Sequence, residues 1–523
     1  MSVFRRRLMG ASRKESSIDM PNYMTIEALE DGLTAKMTRN TLEYSVNGGE
    51  WVSLAANAET PAVSKGDFIS FRGNSPSITS SNGIGTFTIS KKCNLLGNCN
   101  SLLFGDNAEG SNLEDNYSFF RLFKNNTNIV SVSKEFLPST VTKKYCYDEM
   151  FYGCTSLTSA PDLSATSLET YCYYSMFYGC TSLTTVPSMS ITKTDSRSCY
   201  RMFYNCSMLE DANSINIYAL RTSSCYQMFY GCSGLITPPY MDFSRAYSNC
   251  CYGMFYGCTS LTTAPNLPAV ILDSDCYSYM FNGCSSLTTP PVLPATSLPA
   301  SCYSHMFNEC GKLENVPAIT VNTATEECCA RMFYNCYSLV DASGIILNDS
   351  YESSYFDMFR YCSKLKSSPI FNFEKASKKS CYRMFFDCIN LTTVSDLPAT
   401  TLEENCYAEM FAYCSNLTTA PALPATTLAK SCYVGMFYNC NNLTTAPDLP
   451  ALELVENCYH QMFYSCYRLK YVKALFLTTP GVDYTSQWLY MVDDFGIFTK
   501  NKDATWVAIG DNGVPATWTV EYE

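Results

Sequence analysis

One eight-residue stretch recurs along this chain at an unvarying interval. Residues 150–157 read Met-Phe-Tyr-Gly-Cys-Thr-Ser-Leu, and every copy keeps Met four residues before its cysteine, Phe three before and Leu three after. The thirteen repeat cysteines lie 26 residues apart, at Cys154, Cys180, Cys206, Cys232, Cys258, Cys284, Cys310, Cys336, Cys362, Cys388, Cys414, Cys440 and Cys466. A fixed period without insertions predicts a solenoid, in which each repeat is one coil stacked on its neighbours.

Apolar residues within one coil recur at a spacing of about four, which predicts one face of an α-helix. In one copy they are Leu168, Cys172, Met176, Phe177 and Cys180. Thr166 and Glu169 form the pattern of a capping box at the start of this helix. Gly179, just before the repeat cysteine, is a residue type that ends helices. Each coil is therefore predicted to contain a helix that stops at the repeat cysteine.

A short extended segment follows each repeat cysteine. Leu157 opens the segment Leu-Thr-Ser-Ala-Pro-Asp-Leu, and the ninth residue after the cysteine is apolar in every copy, from Leu163 to Leu475. Apolar residues three and nine after the cysteine, with a small residue at six, resemble a leucine-rich-repeat strand. We therefore predict an α/β leucine-rich-repeat solenoid of about thirteen 26-residue strand–helix coils.

The repeat resembles a known family. Its pattern, C-Y-x-x-M-F-x-G-C-x-S-L-T-x-A-P-x-L-P-A-T-x-L, is best matched by residues 276–298 and 406–428. It is similar to the BspA-like leucine-rich repeats of bacterial surface proteins, and to proteins of gut Bacteroidales and their phages. The resemblance covers about residues 140–475. It is highly specific for the fold and weakly specific for function.

The first residues are basic and lead to an expectation about location. Residues 1–19 include Phe4 and Arg5, Arg6 and Arg7 but no apolar run of the kind found in a secretory signal. This start resembles the N-termini of virion proteins of Bacteroidales phages, and the resemblance implies that these four residues anchor the chain to a virion. The alternative is a solvated basic tail.

The chain is predicted to have four further regions. Residues 20–110 contain alternating apolar residues before an Asn-Gly turn at Asn47, which predicts a hairpin and a small β-sandwich-like domain. Residues 111–145 are a degenerate capping coil, residues 146–475 the solenoid and residues 476–523 a C-terminal cap that covers an open strand edge.

Charge and residue content argue against several classes of function. The net charge is −12, so nucleic acid is an unfavourable partner. The sequence contains no run of 18 apolar residues, so no membrane span is predicted. The two histidines, His305 and His460, fall at variable positions that are expected to be exposed, and nothing near either suggests a nucleophile. We therefore expect no catalysis, no cofactor and no membrane insertion.

The 29 cysteines allow two interpretations. On one helix, Cys172 and Cys180 would lie about 12 Å apart. Cysteines on neighbouring helices would be separated by the helix spacing of about 8–10 Å. Both distances exceed the separation of about 7 Å between Cα atoms that a disulfide allows. A ladder of buried, unreactive thiols is therefore favoured. Zinc is the alternative, although this spacing does not bring four ligands to one ion.

Two rows of variable residues are candidates for binding. The eighth residue after the repeat cysteine should point away from the core. We call this the sheet-side row, and its candidate binding residues are Asp162, Ser188, Tyr240, Asn266, Asp396 and Asp448. A second row of tyrosines follows the repeated Phe, from Tyr152 to Tyr464. These rings would either bind a partner or pack between coils.

Two functions are compatible with these features. The first is a non-enzymatic phage virion protein, a tail or head fibre or other appendage that attaches to a host surface glycan or protein. Other virion proteins would bind its N-terminus, and a fibre would be a homotrimer. The second is a bacterial cell-surface adhesin or recognition protein. The first predicts a virion location and the second a bacterial surface location.

Overall fold

Successive coils stack through short parallel β-bridges. In the computed structural model, which describes residues 22–75 and 85–523, Ser159, Thr185, Asp211 and Thr237 form one such ladder. Further ladders form later in some of the coils and are long enough in places to count as strands. The leucine-rich-repeat solenoid is therefore present. The virion-anchor residues Phe4 to Arg7 lie outside the described residues.

The strands of the solenoid are only two or three residues long. They are β9 Met189–Ile191, β10 Ile215–Ile217, β11 Tyr240–Met241, β12 Arg245–Ala246, β13 Ile271–Leu272, β14 Ile319–Val321, β15 Ile345–Leu347, β16 Ile370–Phe371, β17 Lys375–Ala376 and β18 Thr401–Leu402. Their alternate side chains are buried beneath the ladder and exposed above it, as in β9, where Ser190 is exposed between buried Met189 and Ile191.

The core is built from identical side chains stacked along the solenoid. Fourteen phenylalanine rings, from Phe123 to Phe463, stack with centroid separations of 5.3–5.6 Å. Each of these rings is fully buried. A one-residue insertion would move a ring out of the stack, which explains why the period is strict.

The predicted helix is wrong, because the segment before each repeat cysteine is a chain of β-turns. Phe151 N–H donates to Met176 O of the next coil at 2.9 Å, whereas Tyr152 N–H donates to Glu149 O of its own coil at 3.1 Å. This alternation continues along the segment. Thr166 and Glu169 therefore start no helix. Half of the amide N–H groups in this segment donate to carbonyl oxygens of the neighbouring coil. In an α-helix these groups would donate within their own segment.

Every fourth residue of this turn segment has a left-handed backbone. In one coil these residues are Tyr171, Ser175 and Gly179, with φ of 59°, 47° and 69°. The four-residue apolar spacing therefore comes from the turn repeat and not from an α-helix. Positive φ strains most side chains, and the hydrogen bonds between coils offset this strain.

The repeat cysteines have a defined structural role. All thirteen thiols donate to the carbonyl oxygen of the Phe in the preceding coil, at Sγ–O distances of 3.0–3.2 Å. Burial raises the pKa of thiols such as Cys232 and Cys336 to about 12. The predicted ladder of buried thiols is therefore found, and its members are poor nucleophiles.

The distances between cysteines that were predicted from helix geometry do not apply to this structure. Coils joined by parallel bridges lie about 4.8 Å apart, and not at the 8–10 Å of packed helices. Adjacent coils are thus within the span of a disulfide. In the structure all 29 cysteines are free and buried.

The strand ladder slips by two residues at two places. Ile191 pairs with Ile217, one full repeat later, whereas Ile217 pairs with Met241, two residues short of a full repeat. The slip lies between β10 and β11, and a turn precedes β10, where Asn213 N–H donates to Asp211 Oδ1 at 2.9 Å and Ile215 N–H to Ala212 O at 3.1 Å.

The second slip repeats the first. Ile346 pairs with Ile370, which is again two residues short of a full repeat. Ser343 N–H donates to Asp341 Oδ1 at 2.9 Å, as in the first slip. The strands β14 to β18 each begin five full repeats after their counterparts β9 to β13. Five coils therefore form a larger unit that occurs twice.

The N-terminal strands join the solenoid directly. They are β1 Met24–Ala28, β2 Ala35–Met37, β3 Leu42–Val46, β4 Val52–Leu54, β5 Phe68–Arg72, β6 Phe87–Ile89, β7 Cys93–Leu96 and β8 Ile129–Val132. One sheet has the order β4-β3-β5-β1-β7-β8, and β2 pairs with β6. The predicted sandwich is not confirmed. Because β7 and β8 are parallel, this sheet continues into the first solenoid ladder at Ser131.

Short helices lie outside the repeated coils. These are α1 Ser101–Phe104, α2 Val482–Thr485 and the 3₁₀ turns Gly105–Asn107 and Lys134–Phe136. Among the residues that the structure describes, no helix has the length and apolar content needed to cross a membrane.

The last strands extend the ladder beyond residue 475. They are β19 Tyr471–Ala474, β20 Ile497–Lys500 and β21 Thr519–Tyr522, and all three pair in parallel. Trp488 is buried against the final coil, and its Nε1–H donates to Gly513 O at 2.7 Å. This tryptophan ends the phenylalanine stack beside Phe463, with ring centroids 6.5 Å apart.

Candidate functional site

The sheet-side row lies along one exposed face of the solenoid. Each of its residues precedes the buried residue nine after a repeat cysteine, so the strand alternation directs it outward. Tyr240 is 50% exposed, and Ser188, Asn266, Asp396 and Asp448 are also exposed. Asp162 is half-buried.

The three aspartates of this row make contacts within the protein. Ser188 N–H donates to Asp162 Oδ1 at 3.3 Å, and Ala422 N–H donates to Asp396 Oδ1 at 3.2 Å. Asp448 pairs with Lys473 at 3.3 Å. These carboxylates therefore help to hold adjacent coils together.

Tyr240 and Asn266 are better placed to meet a ligand. The Tyr240 hydroxyl donates to Asp242 Oδ2 at 3.3 Å, which fixes the exposed ring. Its ring also lies 6.0 Å from that of Tyr218 in the preceding coil. Tyr218 was not predicted as a site residue, because the register slip that brings these rings together leaves the 26-residue spacing unchanged.

The tyrosine row beside the repeated Phe packs between coils. Tyr152, Tyr178, Tyr204, Tyr230 and Tyr256 stack at centroid distances of 4.5–4.6 Å. The rings are half-buried, and each covers the face of its neighbour. Their edges remain accessible, but their faces are not free to stack on a sugar.

A second tyrosine stack lies on the same turn side. It comprises Tyr174, Tyr200, Tyr226 and Tyr252, with centroids 4.6–5.0 Å apart. The Arg201 guanidinium carbon lies 5.1 Å from the Tyr200 ring and 5.5 Å from the Tyr204 ring, and so links the two stacks. The sequence feature that could have revealed this stack is a Tyr six residues before the repeat cysteine in four consecutive coils.

The histidines are half-buried and not exposed as expected. The His305 ring stacks on Tyr279 at 4.3 Å, and its Nδ1 atom lies 2.9 Å from Ser304 Oγ. Burial lowers the pKa of His305 to about 4. Within the described residues, no group of three or more His, Cys, Asp or Glu side chains is arranged to hold a metal ion. The histidines therefore pack between coils, like their neighbours.

Comparison with known families agrees with this geometry. The model of the BspA type leucine-rich repeat region, which spans 6 copies, matches residues 120–236, 200–317, 275–418 and 408–476. The chain belongs to this family.

Solved structures show a more distant likeness to this BspA-type protein. One is the crystal structure of a TLR13–ssRNA13 complex, with 15% identity and a TM-score of 0.25, where the alignment covers 68% of this chain and 47% of that one. Another is an internalin from Listeria monocytogenes, with 11% identity, a TM-score of 0.19 and coverage of 56% and 79%. The chain thus spans about half of the first of these proteins. A comparison with curated proteins gives no match.

Proposed function

We propose that this BspA-type protein is a non-enzymatic recognition protein that binds a glycan or protein on a host surface. The observation that carries this proposal is the sheet-side row, where exposed residues of different chemistry stand on an otherwise repeated scaffold. Buried positions such as the phenylalanine stack do not vary along the chain. The residue type thus varies along the sheet-side row, where the fold does not require a particular residue. Such variation on a repeated scaffold is typical of a binding surface.

We further propose that the protein is an appendage of a phage virion. The thirteen repeat thiols are buried hydrogen-bond donors in the core, and the whole chain has 29 free cysteines. Such a core suits folding in a reducing cytoplasm, where virions assemble, better than folding on an oxidising export route. Phe4 and Arg5 to Arg7 would then bind other virion proteins.

The binding proposal is tested with the purified full chain on cells of candidate Bacteroidales hosts. We expect saturable binding that competes with phage adsorption, and weaker binding for Tyr240→Ser and Asn266→Ala. Thr155→Ala changes an exposed residue near the turn side and is the matched control. Failure of the full chain to bind cells or slow adsorption would leave only a structural role in the virion.

A bacterial surface adhesin is the second candidate, and family membership favours it. Antibodies against the chain separate the two by location. Labelling of purified particles supports the appendage, whereas labelling of uninfected bacterial cells supports the adhesin. Deletion of residues 1–17 should prevent incorporation into particles but leave a folded protein. Normal incorporation of the truncated chain would refute the anchor.

A further inference from the structure

A small pocket opens at the first register slip. Its walls come from three successive coils, and its volume is about 180 Å³. Lys193 comes from the first coil, Tyr218 and Arg221 from the second, and Arg245 and Tyr247 from the third. A further ladder, formed thirteen residues after the repeat cysteines, pairs Ser167 with Lys193 and Arg245 with Ile271. Ala219, at the same position in the coil between Lys193 and Arg245, takes part in no described bridge. The pocket therefore occupies a break in this ladder beside the slip.

Cations line this pocket although the chain as a whole is acidic. Among the residues that the structure describes, neither Lys193 nor Arg221 has a salt-bridge partner within 4.0 Å. Arg245 pairs with Asp273 at 3.1 Å. Neither cation thus has a described carboxylate within ion-pair distance, although Lys193 lies near enough to Asp195 to lower the pKa of that carboxyl, in a chain of net charge −12. An anionic ligand group would neutralise them.

Tyr247 holds the two guanidinium groups in place. Arg221 Nη1 donates to the Tyr247 hydroxyl at 3.0 Å, and the guanidinium carbons of Arg221 and Arg245 lie 5.2 and 4.8 Å from its ring centroid. A neutral tyrosine orients both cations, so Arg221 retains unpaired N–H donors for a ligand.

Aromatic and hydroxyl groups complete the pocket. Tyr218 is 44% exposed and lies beside Tyr240 of the sheet-side row, with ring centroids 6.0 Å apart. Ser244 contributes an exposed hydroxyl group to the lining, whereas Thr194 is buried and donates its hydroxyl to Ala219 O at 3.3 Å. The apolar side chains of Leu220 and Phe243 are buried as well. The accessible lining thus consists mainly of cations, one hydroxyl group and tyrosine faces, which suit a polar ring that carries a charge.

We propose that this pocket binds an acidic sugar unit of a surface glycan, with its oxyanion on Lys193 and Arg221 and its ring against Tyr218. This inference rests on the proposed recognition function and names the class of its ligand. A carboxylate and a sulfate share the required chemistry. An acidic peptide would also meet the cations, but the exposed Tyr218 ring offers a flat face that suits a sugar ring, and the hexaglutamate comparison below tests the difference.

The second register slip provides a control within the same chain. The residues five full repeats after Lys193, Tyr218, Arg221, Arg245 and Tyr247 are Thr323, Asn348, Tyr351, Lys375 and Ser377. The backbone path is the same, but only one of the three cations is kept there. Lys193→Thr and Tyr218→Asn therefore replace pocket residues with ones that the same fold already accommodates.

The test measures binding of the full chain to hexasaccharides of galacturonate and of heparin, with a neutral maltohexaose and a hexaglutamate peptide as comparisons. We expect binding of at least one acidic sugar, weakened by added salt. Lys193→Thr and Arg221→Gln should each raise Kd roughly tenfold or more, and Tyr218→Asn should also raise it. Lys375→Gln at the second slip should have no effect.

A grafting experiment gives a second readout. Thr323→Lys, Asn348→Tyr, Tyr351→Arg, Lys375→Arg and Ser377→Tyr together should raise the stoichiometry from one sugar per chain to two. Preference for the galacturonate fragment identifies the oxyanion as carboxylate, whereas a preference for heparin that is lost when its sulfate groups are removed identifies it as sulfate. Equal binding of maltohexaose, tighter binding of hexaglutamate, or Kd values unchanged in the pocket variants would overturn the acidic-sugar site.

Cell binding measured in parallel separates this inference from the broader one. If the full chain binds cells while all acidic sugars fail, the pocket assignment is wrong and the recognition function stands. If the full chain binds acidic sugars but no cells, the pocket assignment stands and host attachment is wrong.

Discussion

Asp148 is a buried carboxyl whose Oδ1 atom has no hydrogen-bond partner among the described residues. Its pKa is raised to about 8, chiefly by burial and then by the adjacent Glu149, while Arg121 and Lys124 partly oppose this shift. The two cations pair with Glu149 instead, and its Oε2 lies 2.5 Å from Lys124 Nζ. Sequence alone could not identify this group, because its burial depends on the turn geometry that replaces the predicted helix.

The raised pKa of Asp148 makes stability depend on pH in a definite direction. The pKa is higher in the folded chain than in the unfolded one, so the stability contribution is complete below about pH 4 and is lost as pH rises towards 8. Asp148→Asn should therefore raise Tm at about pH 9 and change it little at about pH 4.

Thermal unfolding at both pH values checks this prediction, with the exposed Asp494→Asn as control. An equal change in Tm at both pH values would show that Asp148 does not titrate in this range.

The glycine that ends the turn segment in five of the thirteen coils tests the left-handed backbone. Gly179 has φ of 69°, and a Cβ added there would meet no atom within 4 Å. Gly179→Ala should therefore lower the free energy of unfolding by about 1 kcal/mol through backbone strain alone. Gly179→Asn should cost less, since Asn205 already occupies the equivalent position with φ of 57°.

Denaturant unfolding measures both glycine variants. Equal costs for Ala and Asn would point to a loss of packing rather than to the backbone conformation.

At the level of the coil, the sequence predicts the buried rungs well and the turn segment poorly. The apolar residues three and nine after the repeat cysteine lie in the core, as for Leu157 and Leu163. The helix prediction failed because a four-residue turn repeat and an α-helix bury the same positions. Gly253 and Gly257, four residues apart and both at positive φ, are the signal that distinguishes them.

Truncation of one ring tests whether each coil depends on its neighbours. Phe281 is fully buried and stacks on Phe255 and Phe307 at 5.6 Å on each side. Phe281→Ala should cost about 3–5 kcal/mol. Hydrogen exchange should quicken most in the Cys258 to Cys310 coils, since contacts in a solenoid are between nearest neighbours. Uniform loss of protection along the chain would contradict this expectation.

For the whole molecule, the 26-residue period predicts the solenoid, the number of coils and the exposed row. It does not predict the pocket, because the two-residue slip in strand pairing leaves the repeat length unchanged. The turn residues Asp211-Ala-Asn-Ser and Asp341-Ala-Ser-Gly precede the two slips in the sequence. β11 begins eight residues after its repeat cysteine, whereas β9 and β10 begin nine residues after theirs.

The thiols provide a test that involves the entire core. Because the repeat thiols are buried and their pKa is raised, alkylating reagents should label few cysteines in the native chain and nearly all 29 after unfolding. Reducing agent should leave Tm unchanged. Mass spectrometry of the alkylated chain checks this, and many protected cysteine pairs would instead indicate a disulfide-bonded extracellular protein.

The equal length of the coils has a mechanical consequence. When the chain is pulled from both ends, hydrogen bonds between coils carry the load, so the chain should yield one coil at a time. Each rupture releases 26 residues, or about 85–95 Å of contour length. Force–extension traces should therefore show evenly spaced peaks, and the chain would act as a tether that lengthens in uniform steps before it breaks.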